Sequence, residues 1–200
     1  MLVTKRFTEA LTYATELHAT QVRKGSDIPY IAHLLGVASI ALEYGANEDE
    51  AMPLATAEAV SPHFSMMLSK TKVEPLHETA IVHGCTDAHT IPKPPWKQRK
   101  EAYIAHLMTA SPSVLLVSGS DKLHNARSIL KDYRVLGESL WERFQGRKEG
   151  TLWYYRQLAI TFDLIGKTPL VAELERVVLE IEALALNEGR RKKEEGRRKG

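Results

Sequence analysis

The sequence from residue 112 to residue 133 reads PSVLLVSGSDKLHNARSILKDY and predicts one long helix with a proline near its start. Asp121 and Asn125 follow the apolar run of residues 114–117, so this helix is expected to be largely buried. The two residues are four apart and therefore share one helix face. A buried carboxylate needs a partner, and a metal ion or another cation is a common one.

A second polar block, RKGSDIPYIAH, spans residues 23–33. Its glycine and proline interrupt the helical pattern, so residues 24–30 predict a loop, after which His33 opens the next helix. A neutral imidazole at that place can bind a metal ion. Arg23 and Lys24 can hold an anionic or planar nucleotide. Taken singly, a lone histidine or an Asp-x-x-x-Asn pair is more often structural, so these interpretations depend on the two blocks meeting in the fold.

Apolar residues recur at helical spacing along most of the chain. The predicted helices cover residues 4–21, 34–45, a segment starting near 48, 97–108, 112–133, a segment around 153–162, and 170–184. Prolines complicate the third helix, residues 61–78 show no clear pattern, and residues 86–95 form a turn-rich loop. No alternating run of strand type is present. The predicted fold class is therefore all-α, a bundle of obliquely packed helices.

Length and composition predict one soluble domain. A chain of 200 residues is large enough to bury a core without covalent cross-links. Its single cysteine, Cys85, cannot form an intramolecular disulfide, which fits the reducing cytoplasm. No apolar run reaches the roughly 18 residues that span a bilayer. We therefore expect a cytoplasmic protein without a membrane partner, and nothing in the sequence favours a particular oligomeric state.

The charge is unevenly distributed. Residues 187–200 carry seven basic and three acidic side chains, a charge of +4, which leaves residues 1–186 at −2 out of the total of +2. The main domain, residues 1–186, is therefore not a strongly basic nucleic-acid surface. Residues 187–200 hold no apolar residue to bury, so they predict a disordered basic tail. An alternative role for that tail is contact with a polyanion.

Several separated motifs resemble those of the HD-domain phosphohydrolases. More narrowly, they are similar to the hydrolase domain of the RelA/SpoT-type alarmone enzymes and to the stand-alone small alarmone hydrolases. The resemblance covers most of residues 4–160. It rests on Arg23-Lys24-Gly25, Pro29-Tyr30-Ile31, His33-Leu34, Val37-Ala38, Gly84-Cys85-Thr86-Asp87-Ala88, Asp121-Lys122-Leu123-His124-Asn125-Ala126 and Glu149-Gly150-Thr151-Leu152-Trp153-Tyr154-Tyr155.

The resemblance implies an all-helical fold that holds one divalent metal ion, typically manganese. Its members remove the 3′-pyrophosphate of guanosine tetra- or pentaphosphate, the alarmones of the stringent response. By position, His33 and Asp121 resemble two of the family's metal ligands. Arg23 and Lys24 resemble the pair that packs near the guanine base. The ribose side of the nucleotide would be contacted by Asn125 and Ser128.

The chain departs from the family at the centre of the site. The family carries a His-Asp dyad, followed three residues later by a Glu-Asp pair that helps to activate water, and no His-Asp dipeptide occurs in this sequence. An ungapped comparison puts Ala57-Glu58 at the dyad and Ser61-Pro62 at the pair. Glu58 remains a candidate oxygen ligand. Replacement ligands, if the segment folds differently, are His63, His77 and His83.

Two functional hypotheses follow. The first is a metal-dependent phosphohydrolase that acts on guanosine 3′,5′-bispyrophosphate (ppGpp) or a related nucleotide. The second is a catalytically impaired member that binds a nucleotide or supports an assembly without turnover. Residues 52–80 fit the family less well than their flanks, through either natural divergence or a local sequence error.

Overall fold

The computed structural model describes residues 4–52, 81, 84–85 and 92–198, with side chains described as far as residue 187. Within these residues the chain forms helices and one isolated β-bridge, which confirms the all-α prediction. The α-helices are α1 (Lys5–Leu17), α2 (Tyr30–Glu43), α3 (Glu48–Ala51), α4 (Trp96–Leu107), α5 (Pro112–Leu136), α6 (Arg147–Ile165) and α7 (Pro169–Arg198). A 3₁₀ helix, Gly137–Arg143, joins α5 to α6.

Helix α1 is shorter than predicted and ends four residues before Gln21. The chain leaves the helix at His18, whose backbone N–H donates to the carbonyl of Ala14 at 3.0 Å. Gln21 instead uses its carbonyl to accept the backbone N–H of Tyr30 at 2.8 Å. That bond ties the end of α1 to the start of α2, so residue 21 belongs to the connection and not to the helix.

The connection between α1 and α2 is closed at its base. An isolated antiparallel bridge pairs Val22 with Pro29, and the backbone N–H of Arg23 donates to the carbonyl of Ile28 at 2.8 Å. Gly25 has a φ of +75°, a left-handed conformation that favours glycine. Helix α2 begins immediately after Pro29, so His33 is its fourth residue and does not open it.

Helix α5 is central because it packs against both α2 and α7. Its N-terminal half joins α2 in a small apolar cluster that includes Val37, Ala41 and Val117. Its C-terminal half belongs to a larger cluster shared with α4, α6, α7 and the 3₁₀ helix. Asp121 lies on α5 between Val117 and Leu123, which are 1% and 0% exposed, so its backbone is anchored on both sides.

Helix α7 packs along α5 and α6 through one apolar face that includes Leu174, Val178 and Ile181. Its helical backbone runs through Arg198, into residues 187–200. The division of the chain into a main domain, 1–186, and a basic tail stays a prediction.

Candidate functional site

The packing of α2 against α5 brings His33 and Asp121 together. His33 is 8% exposed, and its Nε2 lies 3.2 Å from Oδ1 of Asp121. The two residues are far apart in the sequence, so only this helix pairing makes them neighbours. His33 and Asp121, the two predicted metal ligands that lie within the described residues, are therefore neighbours in the fold.

Two further donors from α5 reach the carboxylate of Asp121. Nζ of Lys122 donates to Oδ2 at 2.6 Å, and Nδ2 of Asn125 donates to Oδ1 at 2.9 Å. Burial alone would raise the pKa of Asp121, but the Lys122 ammonium and the hydrogen bond from His33 hold that pKa well below its usual range. Burial alone would lower the pKa of Lys122, but the Asp121 carboxylate raises it. Asp121 and Lys122 therefore form an ionised pair.

His124 of α5 is also part of the site. Its Nδ1 lies 2.9 Å from Nδ1 of His33, so one of the two rings donates to the other. Burial, followed by the positive charges of His33 and Arg23, lowers the pKa of His124 to about 4. A neutral His124 can accept a hydrogen bond at its Nδ1 from Nδ1–H of His33, while Nε2 of His33 faces Oδ1 of Asp121.

Arg23 connects the loop before α2 to α5. Its Nη2 donates to Oδ1 of Asn125 at 2.8 Å, and its Nη1 donates to Oγ of Ser128 at 3.1 Å. The same guanidinium also lies 3.5 Å from Nδ1 of His124. Lys24 is exposed and lines the adjoining cavity outside this network. All four residues predicted to bind a nucleotide, Arg23, Lys24, Asn125 and Ser128, thus line one cavity.

The cavity has a volume of about 530 Å³, which is within the range of small-molecule sites. His33 and His124 form part of its wall. Among the described residues that line it, the cationic ones are Arg23, Lys24, Arg99, Lys100, Lys131 and Arg143, whereas Asp132 is the one carboxylate. This excess of positive charge suits a ligand that carries several negative charges.

The sequence patterns do not predict the wall of the cavity that α4 and α6 contribute. Trp96 begins α4 and packs against the start of α6, where a Cβ on Gly146 or Gly150 would lie 2.6 Å or 3.1 Å from its ring. One turn along α4, Nζ of Lys100 lies 4.6 Å from the ring centroid of Tyr154. The two glycines before a run of aromatic residues were the available signal for a close approach.

Tyr154 has a buried polar group that lacks a partner among the described residues. The residue is 5% exposed, and within that part of the chain its hydroxyl has no hydrogen-bond partner. Burial raises the pKa of Tyr154, so the hydroxyl stays protonated. An unsatisfied hydroxyl of this kind costs about 1–3 kcal/mol.

The described residues fit two corners of a metal site. Nε2 of His33 and Oδ1 of Asp121 are close enough to be adjacent ligands of one ion, and Nδ1 of His33 is held by His124, as the second nitrogen of a metal-bound histidine usually is. Among the described residues no group of three or more potential ligands forms a metal site. The other candidate ligands, Glu58, His63, His77 and His83, lie outside the described residues.

Comparisons with known proteins agree with this architecture. A model of the HD domain family matches residues 10–151. A solved structure described as a metazoan ortholog of SpoT that hydrolyzes ppGpp and plays a role in starvation responses has a TM-score of 0.68 at 20% identity, covering 88% of this chain and 96% of that chain. A protein from Listeria monocytogenes EGD-e has a TM-score of 0.60 at 20% identity, covering 73% and 96%. These structural likenesses show the fold.

No curated protein matches the chain. Over the part of the chain that the structure describes, none of the helices has the length and apolar character that a membrane-spanning helix requires.

Proposed function

The chain belongs to the HD domain family, and from that premise we propose that it is a metal-dependent phosphohydrolase whose substrate is ppGpp or a related nucleotide. The cavity is the observation that supports this proposal most strongly. Six cationic side chains line it, and His33 forms part of the same wall. His33 in turn contacts Asp121. A polyphosphate held by the cations would therefore stand next to the two metal-ligand candidates.

We propose two roles for the residues of the site, metal binding and nucleotide binding. His33 and Asp121 would hold a divalent ion, for which manganese is our candidate, with Glu58 or a histidine from the segment after residue 52 as a further ligand. When bound, such an ion supplies a Lewis acid that neutralises charge on phosphoryl oxygens. Arg23 would hold the nucleotide side of the substrate, with Asn125 keeping the guanidinium in place.

The relative of known activity supports the choice of substrate. It is a ppGpp hydrolase by its description, and 96% of its length is matched by this chain. We place the protein in the cytoplasm, where a lone thiol such as Cys85 stays reduced. Burial raises the pKa of that thiol to about 12, so it stays protonated there.

The second candidate is a member that binds a nucleotide, or supports an assembly, without turnover. The absence of any His-Asp dipeptide from the sequence favours it, because two of the family's metal ligands are then missing. Changes even outside the ligand shell typically reduce metal affinity or activity by about 10–100-fold. The cationic cavity does not depend on that dyad, so a nucleotide would still have a place to bind.

One experiment separates the two candidates. The purified protein is incubated with ppGpp and manganese, pyrophosphate release is measured, and the metal content of the same sample is determined. The hydrolase proposal expects pyrophosphate release that Asp121→Ala abolishes. Nucleotide binding without turnover and without stoichiometric metal would establish the second candidate instead.

A matched control guards against a general loss of structure. Asp163 lies on α6 in a surface ion pair with Lys167, and it does not line the cavity. Asp163→Ala should leave pyrophosphate release unchanged, since surface pairs of this type contribute little to stability.

A further inference from the structure

Lys122 is placed to act on the metal site from within the protein. Its side chain is 13% exposed, and its ammonium lies 2.6 Å from Oδ2 of Asp121. The ring of Tyr103 provides a second contact, with its centroid 4.8 Å from Nζ. Tyr103 is itself fixed by a hydrogen bond of 2.5 Å between its hydroxyl and that of Ser118. The ammonium therefore has a defined position beside the carboxylate.

This pairing does not follow from helix geometry. Adjacent residues on a helix point in different directions and do not normally face each other. Lys122 reaches Asp121 because its long side chain turns back toward the preceding residue while Tyr103 of α4 supports its end. The contact between Lys122 and Asp121 therefore depends on two helices, α4 and α5.

The two oxygens of the Asp121 carboxylate have different surroundings. Oδ2 is occupied by the Lys122 ammonium, whereas Oδ1 faces His33 and receives the amide of Asn125. If His33 and Asp121 hold a metal ion, Oδ1 would be the carboxylate oxygen available to it, because Oδ2 is bound by Lys122. That ion would meet a carboxylate whose charge is already balanced by a buried cation.

We propose that Lys122 competes with the divalent metal for Asp121 and so weakens metal binding. This inference rests on the proposed metal-dependent function. Two cations near one carboxylate repel each other, and the repulsion is stronger in a buried site than in water. The same ammonium keeps Asp121 paired when no metal is bound, so the residues of the cavity stay in place. Lys122 is therefore a positioning residue and not a ligand.

The test measures manganese affinity directly, without nucleotide and without turnover. Free manganese is followed by electron paramagnetic resonance during titration of the wild-type protein and of Lys122→Gln, which keeps a hydrogen-bond donor but loses the charge. We expect the variant to bind manganese on the order of tenfold more tightly. Affinity that is equal or weaker, or undetectable in both proteins, overturns the proposal.

Two controls accompany the titration. Lys122→Arg retains the charge and should keep the wild-type affinity. Lys148 is a half-buried lysine of α6 that pairs with Glu138 at 2.7 Å and does not line the cavity, so Lys148→Gln should also bind manganese as the wild type does. A gain of affinity in Lys148→Gln would show a general charge effect and would overturn the specific role of Lys122.

Loss of folding is also informative. Thermal unfolding of Lys122→Gln and of Lys122→Met is recorded with manganese and with a chelator. Variants that fold with manganese but not with chelator support the proposal, because the metal then replaces the ammonium. Failure of both variants to fold under either condition overturns it. A protein that hydrolyses no ppGpp, yet shows the expected gain of affinity, would contradict the proposed hydrolase function and leave this inference standing.

Discussion

Gly36 of α2 lies against the imidazole of His124 of α5, so closely that a Cβ on Gly36 would be 2.3 Å from both Nε2 and Cδ2 of that ring. The missing side chain makes room for the ring at the point where α2 and α5 meet. His124 can then reach His33, whose Nδ1 it contacts at 2.9 Å. Gly36 has no side chain, and the space that this leaves determines where the imidazoles of His124 and His33 lie.

We expect Gly36→Ala to damage the site and the helix packing together. The added methyl group must push the His124 ring away, and overpacking of this kind costs about 1–3 kcal/mol in the free energy of unfolding. Urea denaturation measures that loss, and titration with ppGpp measures the loss of binding. Gly166 has open space around its Cβ position and an extended φ of 174°, so Gly166→Ala is the control that should change neither quantity. Unaltered stability of Gly36→Ala would contradict the close contact.

Arg23→Lys should weaken nucleotide binding although the charge is kept. The guanidinium contacts Asn125 and Ser128 through two nitrogens at once, whereas an ammonium is a single point that cannot span both. We expect about a tenfold increase in the Kd for ppGpp, measured by calorimetry in the presence of a chelator.

The control for Arg23 is Arg176 of α7, which also uses two nitrogens, here on the carboxylate of Glu173. It lies away from the cavity, so Arg176→Lys should bind ppGpp with the wild-type Kd. Equal Kd values for Arg23→Lys and the wild type would show that the two-nitrogen contact of the Arg23 guanidinium does not contribute to nucleotide binding.

Tyr154→Phe should stabilise the protein. The substitution removes a buried hydroxyl that has no partner in the described part of the chain and keeps the ring that packs beside Trp96. We expect the free energy of unfolding to rise by about 1 kcal/mol. Tyr133 is the matched control, since its hydroxyl donates to Glu138 at 2.6 Å, and Tyr133→Phe should lower the same quantity by about 1 kcal/mol. Thermal or urea unfolding compares both, and a destabilised Tyr154→Phe would reveal a partner for the hydroxyl.

Glu48 should make stability depend on acidic pH. One oxygen of its carboxylate accepts the backbone N–H groups of Thr4 and Phe7 and the hydroxyl of Thr4. Burial alone would raise the pKa of Glu48, but these hydrogen bonds and the charge of Arg6 lower it. A lowered pKa in the folded state means that the stabilisation is complete above the unfolded value, about 4.3, and is lost as the pH falls through the folded value.

The corresponding variant is Glu48→Gln, which should lower the free energy of unfolding by about 1 kcal/mol at neutral pH. The difference from the wild type should narrow as the pH falls below about 4. Urea denaturation over this pH range tests the expectation. Glu9→Gln changes an exposed surface pair with Lys5 and should show little effect at any pH. A difference for Glu48→Gln that is independent of pH would exclude the carboxylate as its source.

The sequence predicted the helical fold because apolar periodicity is a local property that each helix carries along its own length. It also selected His33 and Asp121, since the resemblance to a family assigns a role to each position. Their roles as ligands stay predictions, although the structure brings the two side chains together. The limits of the helices were less accurate where tertiary contacts decide them, as at His18 and Gln21.

The missed residues owe their place to packing between distant segments. Arg99 and Lys100 reach the cavity because α4 packs beside α6, which forms part of its wall. Helix spacing alone puts Lys122 and Asp121 on different faces, so it does not predict the contact between them. Only the ring of Tyr103 on another helix shows why its ammonium turns back.

The closed base of the loop between α1 and α2 bears on how quickly a ligand is captured. Ordering one residue of a free chain costs about 1–2 kcal/mol of conformational entropy. The bridge between Val22 and Pro29 orders this loop when the protein folds, so that loss of entropy does not fall on ligand binding. Under the proposed function, an incoming nucleotide would meet an Arg23 whose loop is already ordered, so binding would not wait for the loop to close. Lengthening this loop would slow association even if every side chain that touches the ligand were retained.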